Sequence, residues 1–186
     1  MRVNINSTTL DVNQSKASIQ LLWIGIVSIC MFFAGLTSVI FVDKMNFPAS
    51  PDWFFYSTLV IIISSFLLLI ASNRIKKDKS RLYLVISSFL MGILFTYFQF
   101  NGWEELTNNE VYFAGRKAPK EHSLLYALTG AHLAHLFAGL IALLITTIKI
   151  KKYNSTNYLG FKLASTYWHF LTILWIYLFF FLLISS

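Results

Sequence analysis

Five apolar stretches separated by polar segments organise this chain, at residues 17–42, 53–72, 82–103, 123–148 and 161–184. Each holds about 20 residues or more, enough to cross ~30 Å of hydrocarbon as a helix. The first stretch is too long for a signal-peptide core and follows a weakly basic lead, so it is predicted to stay as a helix. Residues 1–16, rich in Asn, Ser and Thr, are predicted to form a loose polar tail. Pro48 and Pro51 end one helix and begin the next, and Trp53-Phe54-Phe55-Tyr56 forms an aromatic belt at the entry of the second. The predicted fold class is all-α: one bundle of five transmembrane helices over residues 17–186, without internal repeats or a separate soluble domain.

Polar and small residues inside the spans fall at helical spacing. In the third span Ser88, Gly92, Thr96, Gln99 and Trp103 share one face. In the fourth, His132 and His135 lie one turn apart, and Ala131, Ala138, Gly139 and Ala142 extend that stripe with residues that let another helix approach. Gly25, Ser28 and Gly35 are predicted to mark the tight-packing face of the first span. Lipid offers no partner to an imidazole nitrogen, so the histidines should face protein, a ligand or trapped water.

Composition sharpens the class. The chain is 56% hydrophobic and only 12% charged, against about a quarter charged in a soluble domain, which makes it an integral membrane protein. The net charge of +7 does not point to nucleic acid, because the basic residues gather in turns between apolar segments. Placing the tail and the turns 73–81 and 149–162 in the cytoplasm puts all the Lys and Arg inside except Lys44, Arg116, Lys117 and Lys120. The amino terminus is therefore expected inside and the carboxyl terminus outside. Arg74, Lys76, Lys77, Arg81, Lys151 and Lys152 become candidates for holding anionic lipid head groups. Cys30 is the single cysteine, which excludes an intramolecular disulfide.

The spans contain no Asp or Glu, and all three prolines lie in loops. Proton relays and transporters rely on intramembrane carboxylates and broken helices, so transport by this chain alone is disfavoured. The histidines remain. At ~1.5 Å per residue, His132 and His135 lie about 13 and 18 Å below the outer surface, and His169 about 13 Å above the inner one. Two readings follow. His169 with His132 or His135 could ligate haem axially, as in a cytochrome b-type anchor. Alternatively the rings are neutral and hydrogen-bonded between helices. The second is preferred, since three histidines without carboxylate or cysteine support make a poor metal set. Candidate interhelical polar contacts are His132, His135, His169, Gln99 and Ser28; Trp103, Trp168 and Trp175 read as packing and interface anchors.

Four ordered pieces carry a family likeness: MFFAGL at 31–36, Phe95 with FQFNGW at 98–103, TGAHLAH at 129–135, and YWHF at 167–170 with Trp175. Together they resemble subunit III of the haem-copper oxidases, the cytochrome c and quinol oxidase group. The resemblance implies a non-catalytic subunit of a bacterial cytochrome c oxidase of aerobic respiration, in the inner membrane, in a short five-helix form. It also implies that haem and copper reside in subunits I and II, with no cofactor bound by this chain. Subunit I is the main implied neighbour, beside subunit II and small subunits, and structural phospholipid is held in a cleft. A quinol oxidase is the alternative. Three acidic positions of the family are replaced here by Ile29, Thr172 and Lys162, so roles tied to those carboxylates do not carry over.

Overall fold

The computed structural model describes residues 5–43, 47–48, 50–73, 79–113, 119–149 and 159–185. Every predicted span is a helix: α1 (Ile5–Val42), α2 (Asp52–Asn73), α3 (Lys79–Asn108), α4 (Lys120–Lys149) and α5 (Leu159–Ile184). All five contain segments long and apolar enough to cross a membrane. Pro51 precedes α2 and Pro119 precedes α4, where a missing N–H costs nothing, and Asp52 and Glu121 put negative charge in the first turns.

Buried positions recur every seven residues: Ile26, Phe33 and Ile40 on α1; Phe54, Ile61 and Leu68 on α2; Leu136 and Leu143 on α4; Phe161, Trp168, Trp175 and Leu182 on α5. That repeat keeps one face of each helix toward its neighbours over several turns. Helix α5 is central, lying against α2, α4 and α1, while α3 runs along α2 and also meets α4. The outward faces are apolar as well, with Met31, Phe41, Phe66, Ile141, Ile173 and Phe180 exposed. A soluble protein would not leave such a surface uncovered; hydrocarbon or another membrane subunit covers it here.

Two boundaries differ from the sequence reading by more than one helical turn. Helix α1 starts at Ile5 rather than near residue 17; no Gly or Pro interrupts residues 5–24, so the helix continues through polar sequence. Helix α3 extends past Trp103 to Asn108, because Leu106 on its extra turn is buried. The helix then ends in a Schellman motif. Val111 N–H bonds Leu106 O at 3.0 Å, Glu110 N–H bonds Thr107 O at 3.1 Å, and Glu110 takes φ 64°. Val111 and Leu106 are both buried, the hydrophobic pairing that commonly accompanies that motif.

The connections on this side of the bundle are tied down. Tyr126 Oη donates to Val111 O (2.9 Å), Ser123 Oγ donates to Phe113 O (2.6 Å), and Phe47 N–H reaches Ser185 O at the end of α5 (2.8 Å).

The small-residue faces divide in two. A Cβ on Gly92 would lie 2.6 Å from the Trp168 ring and 2.8 Å from Leu140; one on Gly102 would meet Phe54 at 2.5 Å, and one on Gly139 would meet Leu171 at 2.9 Å. These glycines are where helices close on each other. Gly25 and Gly35 have no such neighbour within 4 Å, and Ser28 is exposed. The expected tight-packing face of α1 therefore looks outward. The inward face is built by Ile26, Phe33, Thr37 and Ile40, whose bulk fills more of the interhelical space than the glycines could.

Candidate functional site

A polar seam runs through the interior, and hydroxyls of α2 organise it. Ser57, Thr58, Ser64 and Ser65 form two pairs seven residues apart, on the faces turned to α3 and α5. Ser64 Oγ donates to Ser88 O at 2.9 Å and Ser88 Oγ donates back to Ser64 O at 3.0 Å. Each hydroxyl hydrogen is used on the opposite backbone, which leaves Ser64 Oγ free to accept the Trp168 indole N–H at 3.1 Å. Three helices meet at one oxygen.

Two turns nearer the α1–α2 connection the pattern repeats. Ser57 Oγ and Thr58 Oγ1 both donate to Phe54 O, at 2.9 and 2.7 Å. Their oxygens then accept Gln99 Nε2 from α3 (2.9 Å) and Trp175 Nε1 from α5 (2.9 Å). Trp103 Nε1 donates to Thr129 Oγ1 of α4 at 3.1 Å. All three tryptophans expected to anchor packing thus hand their N–H to a hydroxyl on another helix, which satisfies the one polar atom an indole brings into the bundle.

The three histidines serve three different seams. His169 Nδ1 pairs with Ser65 Oγ of α2 at 2.5 Å. His135 Nδ1 bonds Ala131 O of its own helix at 2.7 Å, its ring lies edge-on to Phe33 of α1 at 5.9 Å, and its backbone carbonyl accepts Tyr167 Oη at 3.3 Å. His132 is fully buried between Phe95 of α3 and Trp175 of α5, at centroid distances of 6.0 and 5.0 Å. Neither of its ring nitrogens has a partner among the described groups. Among the described residues no three His, Cys, Asp or Glu side chains gather as a metal site.

Where the family resemblance places acids, Ile29 packs partly buried against the core. Thr172 Oγ1 donates to Trp168 O at 3.1 Å, and Lys162 is exposed. Arg74, Lys76, Lys77, Lys151 and Lys152 lie outside the described residues; Arg81 is on α3. The seam residues that sequence reasoning missed are Ser57, Thr58, Ser64, Ser65 and Thr129. The repeat of paired hydroxyls at an interval of seven within an apolar span is the signal that could have found the four on α2.

Two further features bear on function. Thr37 Oγ1 of α1 and Tyr177 Oη of α5 lie 3.0 Å apart. Between α1, α4 and α5 opens a cleft of about 500 Å³, lined by Leu22, Ala138, Ala142, Ile145, Leu163 and Tyr167 among others. Ala138 and Ala142, read from the sequence as a helix-docking stripe, line this opening instead.

A family model described as cytochrome c oxidase subunit III matches residues 42–186. A cytochrome bo(3) ubiquinol oxidase subunit 3 from Buchnera aphidicola subsp. Acyrthosiphon pisum is 29% identical, covering 99% of this chain and 94% of the relative. A probable cytochrome c oxidase subunit 3 from Mycobacterium bovis is 32% identical over 80% of this chain and 78% of its own. A cytochrome c oxidase subunit 3 from Rhipicephalus sanguineus is 29% identical, with 75% of this chain covering 54% of it. With that match spanning α2 to α5 and the whole hydroxyl seam, the chain belongs to the cytochrome c oxidase subunit III family, as a multi-pass, non-catalytic subunit of a haem-copper oxidase that works in association with the other oxidase subunits.

Proposed function

We propose that this subunit is a scaffold of a bacterial cytochrome c oxidase in the inner membrane, with its amino terminus cytoplasmic, docked chiefly on subunit I with subunit II and small subunits nearby. The complex reduces oxygen to water and translocates protons, and its haem and copper lie in subunits I and II. One observation carries this reading: the N–H groups of Trp103, Trp168, Trp175 and Gln99 and the His169 ring nitrogen are spent on hydrogen bonds between helices. Such a network fixes shape. It offers no acid to relay a proton through the spans.

The exposed stripe of Gly25, Ser28 and Gly35 on α1 supports contact with a neighbouring subunit, since small residues are placed where a helix is to be approached. The cleft between α1, α4 and α5 supports a structural phospholipid, with acyl chains against Leu22, Ile145 and Leu163. The basic turns, with Arg74, Lys76, Lys77, Arg81, Lys151 and Lys152, supply charge for anionic lipid head groups.

A quinol oxidase is the second reading, favoured by the nearly full-length likeness to the ubiquinol oxidase subunit of Buchnera. Purification of the complex through this subunit tests both. Oxidation of reduced cytochrome c, together with ligands for a copper pair in subunit II, supports the first. Oxidation of quinol without that copper pair supports the second. A Soret band and stoichiometric iron in this chain alone would remove the scaffold reading in favour of a cytochrome b-type anchor.

A further inference from the structure

Two buried polar side chains inside the bundle keep atoms without a partner among the described residues, and the packing of α3 on α4 sets them at one depth. Gln99 is 1% exposed and its Oε1 has no hydrogen bond; His132 is 0% exposed and neither ring nitrogen has one. The Gln99 amide orientation follows from its neighbour. Ser57 gives its hydroxyl hydrogen to Phe54 O, so its oxygen has only lone pairs for Gln99, and the amide nitrogen must be the group that meets it. Turning the amide over would bring two acceptors together. Oε1 therefore faces the other way, away from Ser57.

The register of α3 against α4 brings His132 to the same depth. The Trp103–Thr129 bond joins the antiparallel pair; Gln99 lies four residues back from Trp103 and His132 three on from Thr129, each about one turn toward the middle. Gly92 meeting Leu140 further along confirms this register. Phe95, one turn from Gln99 on the same face of α3, touches the His132 ring, and Trp175 touches both rings while bonding Thr58 beside Ser57. Both orphan groups border this one Phe95–Trp175 cluster.

We infer that an internal water molecule sits at this level of the bundle and bridges His132 to Gln99 Oε1. A neutral imidazole has one N–H to donate and Oε1 is an acceptor; one water accepts the first and donates to the second, so two unmatched groups become one chain. Buried polar atoms in a membrane interior have no other solvent to turn to. The water locks the facing sides of α3 and α4 together below the Trp103–Thr129 bond and holds the His132 ring against Trp175.

A density map of the purified oxidase, at a resolution that shows ordered water, tests this without any substitution. The expected result is a peak within about 2.7–3.2 Å of both Gln99 Oε1 and a His132 ring nitrogen. A dry site, or a direct contact between imidazole and amide, overturns it. Gln99→Met and His132→Phe provide a second measurement. If the two groups share a water, the double variant dissociates from the complex at about the temperature of the weaker single variant, and the peak vanishes in His132→Phe. Fully additive losses, as for independent sites, overturn the bridge.

Discussion

Ser64 and Ser88 each donate their hydroxyl to the other's backbone carbonyl, and Ser64 alone also accepts the indole N–H of Trp168. The two serines look equivalent in sequence, yet their positions are unequal. Ser64 joins α2 to both α3 and α5; Ser88 joins α3 to α2 only.

That inequality predicts an order of damage. Ser88→Ala removes its own donation and the acceptor oxygen beside Ser64, but leaves Trp168 Nε1 paired. Ser64→Ala also strands that N–H in an apolar interior. Interhelical hydrogen bonds in membranes are worth about 0.6 kcal/mol on average and up to ~1.7, so Ser88→Ala should fall near the low end and Ser64→Ala toward the high end or above it. SDS-titration unfolding of the purified complex, followed through release of this subunit, measures both. Equal losses would mean that the indole bond contributes nothing.

Glycines on α1 and α3 separate packing inside the chain from packing outside it. A methyl at Gly92 drives into the Trp168 ring, which is buried and hydrogen-bonded and has nowhere to swing. Gly92→Ala should destabilise the bundle by about 1–3 kcal/mol, the usual cost of overpacking. Gly25→Ala and Gly35→Ala meet no packing neighbour among the described residues within 4 Å and should leave the bundle's own unfolding unchanged, while weakening retention of the subunit in the complex. If those two variants unfold the bundle as readily as Gly92→Ala, the outward assignment of the α1 stripe is wrong.

The sequence exposed the architecture through its strongest signal, apolar length, and all five spans are helices. Depth and facing within a helix were less legible. His132 and His135 share a face by spacing, yet one looks into the α3–α5 interior and the other toward α1, because a helix surrounded by neighbours has several inner faces. Gly25, Ser28 and Gly35 carried the same small-residue signature as Gly92 and Gly139. Composition cannot say whether a small face meets a helix of its own chain or of a partner. The α2 hydroxyls went unread because Ser and Thr in a membrane helix are often satisfied by their own backbone; Ser64 reaches Ser88 and Trp168, and the arrival of Trp175 and His169 from α5 gives Thr58 and Ser65 a tertiary role.

Glu110 marks a place where the chain accepts a poor residue for its geometry. It occupies the left-handed position of the motif that ends α3, with φ 64°, where glycine is the common residue. An L side chain there costs roughly 1–2 kcal/mol, and part of that is offset because glycine also loosens the unfolded chain. Glu110→Gly should therefore stabilise the subunit by about 0.5–1 kcal/mol. Glu110→Val, β-branched at a positive φ, should destabilise it. Thermal dissociation of the complex reads both, and a stabilised valine variant would show that the turn adopts another backbone conformation.

His169 offers the sharpest separation of scaffold from cofactor site. Its ring nitrogen is committed to Ser65 on α2, in the row of α2–α5 bonds that also holds Trp168 and Trp175. His169→Leu should lower the temperature at which the subunit leaves the complex by an amount matching one interhelical bond, about 0.6–1.7 kcal/mol. Ser65→Ala should reproduce that loss, and the double variant should add little to either, since both remove the same contact. The reduced-minus-oxidised spectrum of the oxidase should stay the same in all three. A haem ligand would behave otherwise: His169→Leu would change or abolish an absorbance band while Ser65→Ala left it nearly intact, and that pattern would displace the structural role assigned to the α2–α5 seam.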